Sequence, residues 1–523
     1  MKQAWTRRGF LAGVGVAVGA SCGRPPELEP EARTEKPFEL EEVSLDALRQ
    51  RMERGELTAE RAVELYLERI EAVDGRLHSV IEINPDARAI AAQLDQERKD
   101  GKVRGPLHGA PILIKDNIDT ADKMQTTAGS LALEGSIAAR DSAVAERLRE
   151  AGAVILGKTN LSEWANFRST NSTSGWSGRG GLTHNPYVLD RNACGSSSGS
   201  GAAASASLCA AAVGTETNGS IVCPSSINGL VGIKPTLGLV AQAGIIPIAH
   251  TQDTAGPMAR TVLDAALLLD ALADPGTRKE DRYAAFCVAG KLKGARIGVA
   301  RQLMGRRDDA DKLAEEAIAA LEAEGAEVVD IEGLPEGGAT GDAGYQVLLY
   351  EFKADLNKYL AGLGPQARVK SLAEVIAFNE TNADREMPYF GQEHMIRAEE
   401  KGGLDSPEYK KALALTKRMA QAQGIDKAVD RYKLDAILAP TTGPSWTTDL
   451  VNGDHGSGGS SSLAARAGYP NITVPMGLIH GLPVGVSFFG KAWTEPRLIE
   501  IAYGYEQATK QRRPPQLIPS LEA

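Results

Sequence analysis

Between Gly195 and Pro235 the chain reads GSSSGSGAAASASLCAAAVGTETNGSIVCPSSINGLVGIKP, two Ser/Gly loops around an Ala-rich apolar segment. So little side-chain volume in one run constrains the fold strongly, because the stretch must lie where backbone packs against backbone. Glycine permits such approaches and the unusual backbone angles that go with them. Ala202–Val213 reads as a buried helix or strand. The second loop, Gly214–Ser220, reads as a turn feeding a short helix. Pro224 then falls inside the first helical turn, where a missing N–H costs little. In that arrangement the N–H groups of Thr217, Asn218, Gly219 and Ser220 are unpaired donors at a helix start, suited to a developing negative charge. A hydroxyl at Ser220 is a candidate nucleophile.

The chain has 523 residues, of which 42% are apolar and 24% charged, enough for one large domain or two to three ordinary ones. Its net charge of −10 comes from mixed acidic and basic residues. That mixture, with no basic cluster beyond the N-terminus, argues against nucleic acid as a partner. Residues 1–23 read as an export signal: Thr6-Arg7-Arg8-Gly9-Phe10-Leu11 has the twin-arginine pattern, and Leu11–Ala20 is shorter than the roughly 20 residues that span a bilayer. Two readings stay open there, lipidation of Cys22 after lipoprotein-type cleavage or ordinary cleavage after Ala20. Either implies a periplasmic or cell-envelope location. Residues 24–40, rich in Pro and Glu, read as a tether. No further stretch reads as transmembrane. Beyond Cys22, the cysteines Cys194, Cys209, Cys223 and Cys287 could pair in an exported protein, but the first three lie among small apolar residues and read rather as buried free thiols. No CxxC occurs and the seven histidines show no ligand spacing, so no metal is expected.

Apolar periodicity predicts helices over Ser44–Arg54 and Thr58–Val73, then one from Asn84 to Lys99. Ala110–Ile114 is a short buried strand with Lys115 directly off its end. Ser142–Gly152 reads as a helix and Ala153–Gly157 as a strand. Leu161–Phe167 reads as a helix capped by Asn160, and Ser169–Gly181 as a loop with Trp176 on a substrate rim. Gly238–Val240 and Gly244–Ile248 read as short strands, and Thr261–Leu269 as a helix. Ala295–Ala300, a helix over Lys312–Glu324 and Ala326–Ile331 form a β-α-β unit, and 340–432 are mostly helical, with the capping-box pattern Ser371-Leu372-Ala373-Glu374. Strands return at Ala436–Ala439, Asn471–Pro475 and Pro483–Gly490, before a last helix over Pro496–Thr509. The alternation predicts an α/β layered fold, read as one large domain over 41–515.

Three chemistries compete for the central stretch. Gly195-Ser196-Ser197-Ser198-Gly199 fits the G-x-S-x-G nucleophile elbow, with Ser197 as nucleophile, but that motif follows an apolar strand and Asn185–Asn192 is a poor one. A Gly/Ser nest that only binds an anion is the second reading. The third rests on longer motifs: Gly109–Asp116 (GAPILIKD), Gly157–Glu163 (GKTNLSE), Gly195-Ser196-Ser197, Gly214–Ile221 (GTETNGSI), Gly229–Thr236 (GLVGIKPT), Asp253–Arg260 (DTAGPMAR) and Leu482–Val486 (LPVGV). In this order they resemble the amidase signature family from about residue 43 to 510.

That resemblance implies a single three-layer domain with a central mixed β-sheet covered by helices, and a serine amidohydrolase with a Ser–cis-Ser–Lys set and no cofactor. Carried over position by position, Ser220 is the nucleophile, Ser196 the bridging serine on a cis peptide, and Lys115 the base. The chemistry is coherent, because serine is a weak nucleophile without a base and lysine serves as one only when burial keeps it neutral. The oxyanion donors would be the N–H groups of Thr217, Asn218, Gly219 and Ser220. Within the family, Leu161–Arg168, Ser174–Ser177, Arg179–Gly181, Cys194–Ser200, Leu349–Lys353 and Ala439–Gly443 resemble the peptide amidases, which hydrolyse the C-terminal amide of peptides. A broad aliphatic, aryl or fatty-acid amidase is the alternative. Val222 stands where many relatives carry an arginine that pairs a substrate carboxylate, which argues against small anionic substrates. The expected partner is therefore a small-molecule or short peptide amide.

Overall fold

The computed structural model describes residues 38–280, 282–335, 340–364 and 367–521, and among these residues short runs of β-branched and small apolar residues, many followed by Gly, Pro, Asn or Asp, give thirteen strands. They are β1 Val80–Ile83, β2 Pro111–Lys115, β3 Val154–Thr159, β4 Trp176–Ser177, β5 Gly181–Leu182, β6 Ala211–Glu216, β7 Val231–Lys234, β8 Thr254–Ala259, β9 Arg296–Val299, β10 Glu327–Asp330, β11 Ala436–Pro440, β12 Asn471–Ile479 and β13 Leu482–Phe489. Eleven of them make one sheet in the order β1-β3-β2-β6-β8-β7-β12-β13-β11-β9-β10, while β4 and β5 pair separately. β2 runs parallel to β3 and β6, and β9 parallel to β10 and β11, whereas the centre from β6 to β13 is antiparallel. The predicted mixed sheet is therefore present. Every residue of β2, β3, β6, β7, β8, β11 and β13 is buried, as expected when both faces carry helices. From Glu39 onward the chain is one compact unit.

The helical predictions hold at their caps. Ser44, Thr58, Ser142, Thr261 and Ser371 each accept a backbone N–H of the first turn. The β-α-β unit is β9, the helix Asp308–Ala323 and β10. The predicted segment 340–432 supplies the long helix Gly341–Gly362 and the shorter ones after it. It is pinned to the sheet domain by a buried ionic cluster. Arg168 Nη1 bonds Glu163 Oε1 at 2.7 Å and the carbonyl oxygen of Glu386, with Glu386 Oε2 at 3.8 Å. Burial holds the Glu163 carboxyl well above its usual range, against the pull of Arg168.

Two sequence expectations fail locally. Leu161–Phe167 is not a helix: Trp164 and Ala165 sit at φ +52° and +54°, leaving one irregular turn over Glu163–Asn166. The turn lets the Ser162 N–H reach the Ser196 carbonyl and the Trp164 N–H reach the Ala128 carbonyl, so tertiary bonds replace helical ones. Gly238–Val240 and Gly244–Ile248 form only isolated bridges: the first folds into a local turn with Val240 bridging Leu237, and the second is drawn to the loop after β2, with Ile246 N–H on the Asn117 carbonyl at 2.8 Å. The export signal with Cys22, and the tether as far as residue 37, lie outside the described residues. Among the described residues no helix is long and apolar enough to cross a membrane.

Candidate active site

β2 and β6 are parallel neighbours, with Ile114 opposite Val213, so both C-terminal ends open on one edge of the sheet. Ligand sites in α/β sheets favour that edge. Lys115 ends β2 with no solvent exposure, so it is not a snorkelling surface lysine. Its Nζ lies 2.8 Å from Ser196 Oγ, 2.9 Å from Thr215 Oγ1 and 3.3 Å from the Thr215 carbonyl oxygen. Asn117 Nδ2 donates to the same Thr215 hydroxyl at 3.0 Å. Burial pushes the Lys115 ammonium down to about pKa 7, while Asp253 and Glu216 pull it the other way.

Ser196 follows a cis peptide bond from Gly195 and is itself fully buried. A Cβ at Gly195 would stand 2.2 Å from Ser162 Oγ, so only glycine fits there. The Ser162 N–H holds the Ser196 carbonyl at 3.1 Å. The helix Ser198–Ser205 starts immediately after, and all eight of its residues are buried. Its small side chains let it lie directly on the sheet: a Cβ at Gly199 would meet the Ser79 carbonyl oxygen at 2.3 Å. Arg260, from the sequence DTAGPMAR, clamps the far end through the carbonyl oxygens of Ala204, Cys209 and Ala210. Ser197 is buried, and its hydroxyl donates to the Thr215 carbonyl at 3.0 Å and accepts the Thr215 N–H at 3.1 Å. That hydroxyl is a brace between loop and strand, and residues 185–192 before it form no strand, so the nucleophile-elbow reading of Ser197 fails.

β6 runs into the second loop, which turns at Gly219 with φ +86° before the helix Val222–Ile227. Pro224 lies in its first turn, as predicted. Glu216 organises this turn and was not singled out by the sequence. Its buried carboxylate accepts the N–H groups of Gly219 at 2.8 Å, Ile221 at 2.8 Å and Val222 at 3.1 Å. The expected set of oxyanion donors is corrected accordingly: the Gly219 N–H is committed to Glu216. The N–H groups of Thr217, Asn218 and Ser220 have no hydrogen-bond partner among the described residues, nor has the Ser220 hydroxyl. Thr217 is fixed from behind by Asp253, which accepts its hydroxyl at 2.5 Å and the N–H groups of Ile248 and Ala249. Burial raises the Asp253 carboxyl to about pKa 7. The exposed Asn218 side chain reaches Ser461 and Ser462.

Two further expectations are corrected. Cys194 and Cys223 form a disulfide, S–S 2.04 Å, leaving Cys209 and Cys287 free. The cysteines do lie among small apolar residues, but folding brings the two loops face to face. Trp176 is no substrate rim. It is 6% exposed, edge-on to Tyr389 and Phe390, with the Arg168 guanidinium 5.0 Å from its ring centre. Among the described residues one His/carboxylate group, His250, Glu351 and Asp355, has ligand atoms within 4.8 Å of each other. These atoms already bond one another, Thr251 and Tyr409, so the group stands complete as a hydrogen-bonded cluster.

A buried lysine, a serine on a cis peptide and a second serine beside three free N–H groups fit acyl transfer. The chain matches the Amidase family over residues 61–499, and it belongs to the amidase signature family as an amidase. A protein of Arabidopsis thaliana described as a probable amidase is 44% identical over 507 residues, covering 93% of this chain and 94% of its own. The crystal structure of native peptide amidase from Stenotrophomonas maltophilia is 50% identical, with a TM-score of 0.87 over 92% of this chain and 100% of that one. The structure of the peptide amidase in complex with the competitive inhibitor chymostatin gives 50% identity and a TM-score of 0.89 over the same shares.

Proposed function

We propose that this amidase hydrolyses the C-terminal carboxamide of peptides to the free acid and ammonia, through an acyl-enzyme on Ser220. The observation that carries the catalytic part is the 2.8 Å contact between Lys115 Nζ and Ser196 Oγ in a site that keeps the amine near neutrality. Ser220 Oγ attacks the carbonyl carbon and gives its proton to Ser196 Oγ, as the Ser196 proton passes to Lys115 Nζ. The N–H groups of Thr217, Asn218 and Ser220 face the developing oxyanion, each worth about 3 kcal/mol in such sites. On collapse, Ser196 protonates the leaving nitrogen and recovers a proton from Lys115, and ammonia departs. Water then attacks the ester by the same relay, releasing the acid and restoring Ser220. No metal or cofactor enters these steps.

The likeness to peptide amidase over nearly the whole chain supports a peptide amide as substrate. Val222, apolar and buried where an arginine would pair a carboxylate, supports a neutral end group. The test is ammonia release from C-terminally amidated peptides, free-acid peptides, oleamide and small aliphatic amides, using wild type, Ser220→Ala and Lys115→Ala. Turnover confined to amidated peptides and reduced about 10⁴-fold or more in Ser220→Ala is expected. Turnover of oleamide alone would move the substrate to lipids, and undiminished activity in Ser220→Ala would overturn the nucleophile.

A further inference from the structure

The two hydroxyls that must exchange a proton, on Ser196 and Ser220, sit on separate loops, and neither loop is regular structure at that point. Each is well held on its own side. The Ser196 segment is fixed by the Ser162 N–H on the Ser196 carbonyl and by the Cys194 N–H on Asn192 Oδ1 at 2.7 Å. The Ser220 segment is fixed by Glu216 and by the Cys223 N–H on the Gly219 carbonyl at 2.8 Å. Between them, the Ser197 N–H meets the Ser220 carbonyl at 3.2 Å, and Asn228 Nδ2 meets the Ala193 carbonyl at 2.9 Å. The covalent link is Cys194–Cys223, with Cα atoms 6.2 Å apart. It leaves one chain two residues before Ser196 and enters the other three residues after Ser220. Cys194 is 5% exposed and Cys223 half-buried, so the bond lies at the edge of the site rather than deep in the core.

We propose that the Cys194–Cys223 disulfide is a positioning element of the reaction, setting the Ser196–Ser220 separation on which proton transfer depends. This rests on the Ser220–Ser196–Lys115 reading above. Proton transfer needs heavy atoms within about 3 Å, and a displacement of about 1 Å can cost on the order of 100-fold in rate. The Ser196–Lys115 half of the relay does not involve the bond, because Lys115 reaches Ser196 from β2. Opening the disulfide therefore loosens the nucleophile against its relay and leaves the base in place. The expected signature is a fall in kcat with KM and the pH dependence preserved.

The test compares three forms of the full chain on the best amide of the panel. They are the oxidised enzyme, the same enzyme reduced with a water-soluble phosphine, and Cys194→Ala/Cys223→Ala. Phosphine reduction breaks the S–S bond, oxidises phosphorus by two electrons with water supplying its oxygen, and leaves two thiols. Alkylation and peptide mapping verify the bond before and its loss after. Each form is assayed well below its own Tm. We expect kcat to fall at least about 10-fold in the reduced and double-variant forms, with KM within about twofold and recovery on re-oxidation. Equal kcat in oxidised and verified-reduced enzyme would overturn the role, as would mapping that finds no Cys194–Cys223 bond. Unfolding of both opened forms would assign the bond to the whole fold and overturn it too. Ser220→Ala separates the premises: if that variant keeps full turnover, the catalytic reading falls whatever the redox state.

Discussion

At the scale of single residues, the proposed relay makes turnover depend on the protonation of Lys115. Burial lowers its pKa from the ordinary 10.5 to about 7, because the charged ammonium loses its water. Below that pH the amine carries the proton it would have to accept. Turnover should therefore climb with pH through about 7 and level off above it, read from kcat/KM. Asp253 is the largest influence opposing the drop, and it also holds the Thr217 hydroxyl. The Asp253 carboxyl is itself raised to about pKa 7, so Asp253→Asn removes a negative charge that is present only above about that pH. The rising limb should then move to lower pH, with kcat reduced because Thr217 is held less firmly. A limb that stays put would show that the Asp253 charge does not act on the titrating group.

At the scale of elements, the two loops are built by different devices. The first depends on a missing side chain. Gly195→Ala would put a methyl 2.2 Å from Ser162 Oγ, forcing apart the segments that present Ser196. Such overpacking costs about 1–3 kcal/mol, and activity should fall with it. The second loop depends on a carboxylate. Glu216→Gln keeps the shape but turns an amide nitrogen toward backbone N–H groups that now meet an acceptor. A loss of about 1–3 kcal/mol of unfolding free energy, read from the shift in denaturant midpoint at unchanged slope, is expected, together with lower kcat. Full activity in Glu216→Gln would remove it from the construction of the oxyanion loop.

At the scale of the molecule, the helical segment 340–432 is joined to the sheet domain through charge as well as apolar packing. Arg168 sits between Glu163 and Glu386, 4.4 Å from the Phe390 ring centre and 5.0 Å from that of Trp176. Around it an apolar cluster joins Trp164 and Phe167 to Leu349, Phe352 and Leu356 of the long helix. Arg168→Met would leave two carboxyls buried without their cation. Equilibrium unfolding should show a loss of about 3–5 kcal/mol, far more than an exposed ion pair is worth. A change under about 1 kcal/mol would mean that the carboxyls stay neutral without the arginine.

Much of this was legible in the chain because it is local. Caps such as Ser44 and Ser371, the buried runs of β2 and β6, and the Gly/Ser loops carry their conformation in neighbouring residues. Lys115, Ser196 and Ser220 were legible through motif resemblance, since no local rule joins residues 81 and 24 positions apart. The rest depended on what folding brings near. Leu161–Phe167 has helical residues but turns left-handed to bond Ala128 and Ser196. Gly219 looked like a free donor until the Glu216 carboxylate folded under it. Cys194 and Cys223 looked like inert thiols until two loops met. Trp176 looked like a rim until Arg168 and Phe390 enclosed it. The sequence by itself determined the α/β sheet, its helix caps and, through its motifs, the candidate catalytic side chains, because backbone preference and residue chemistry travel with the residue. The tertiary structure alone decided which N–H groups remain free, which thiols pair and where the Lys115 pKa falls, because each depends on neighbours that chain order does not supply.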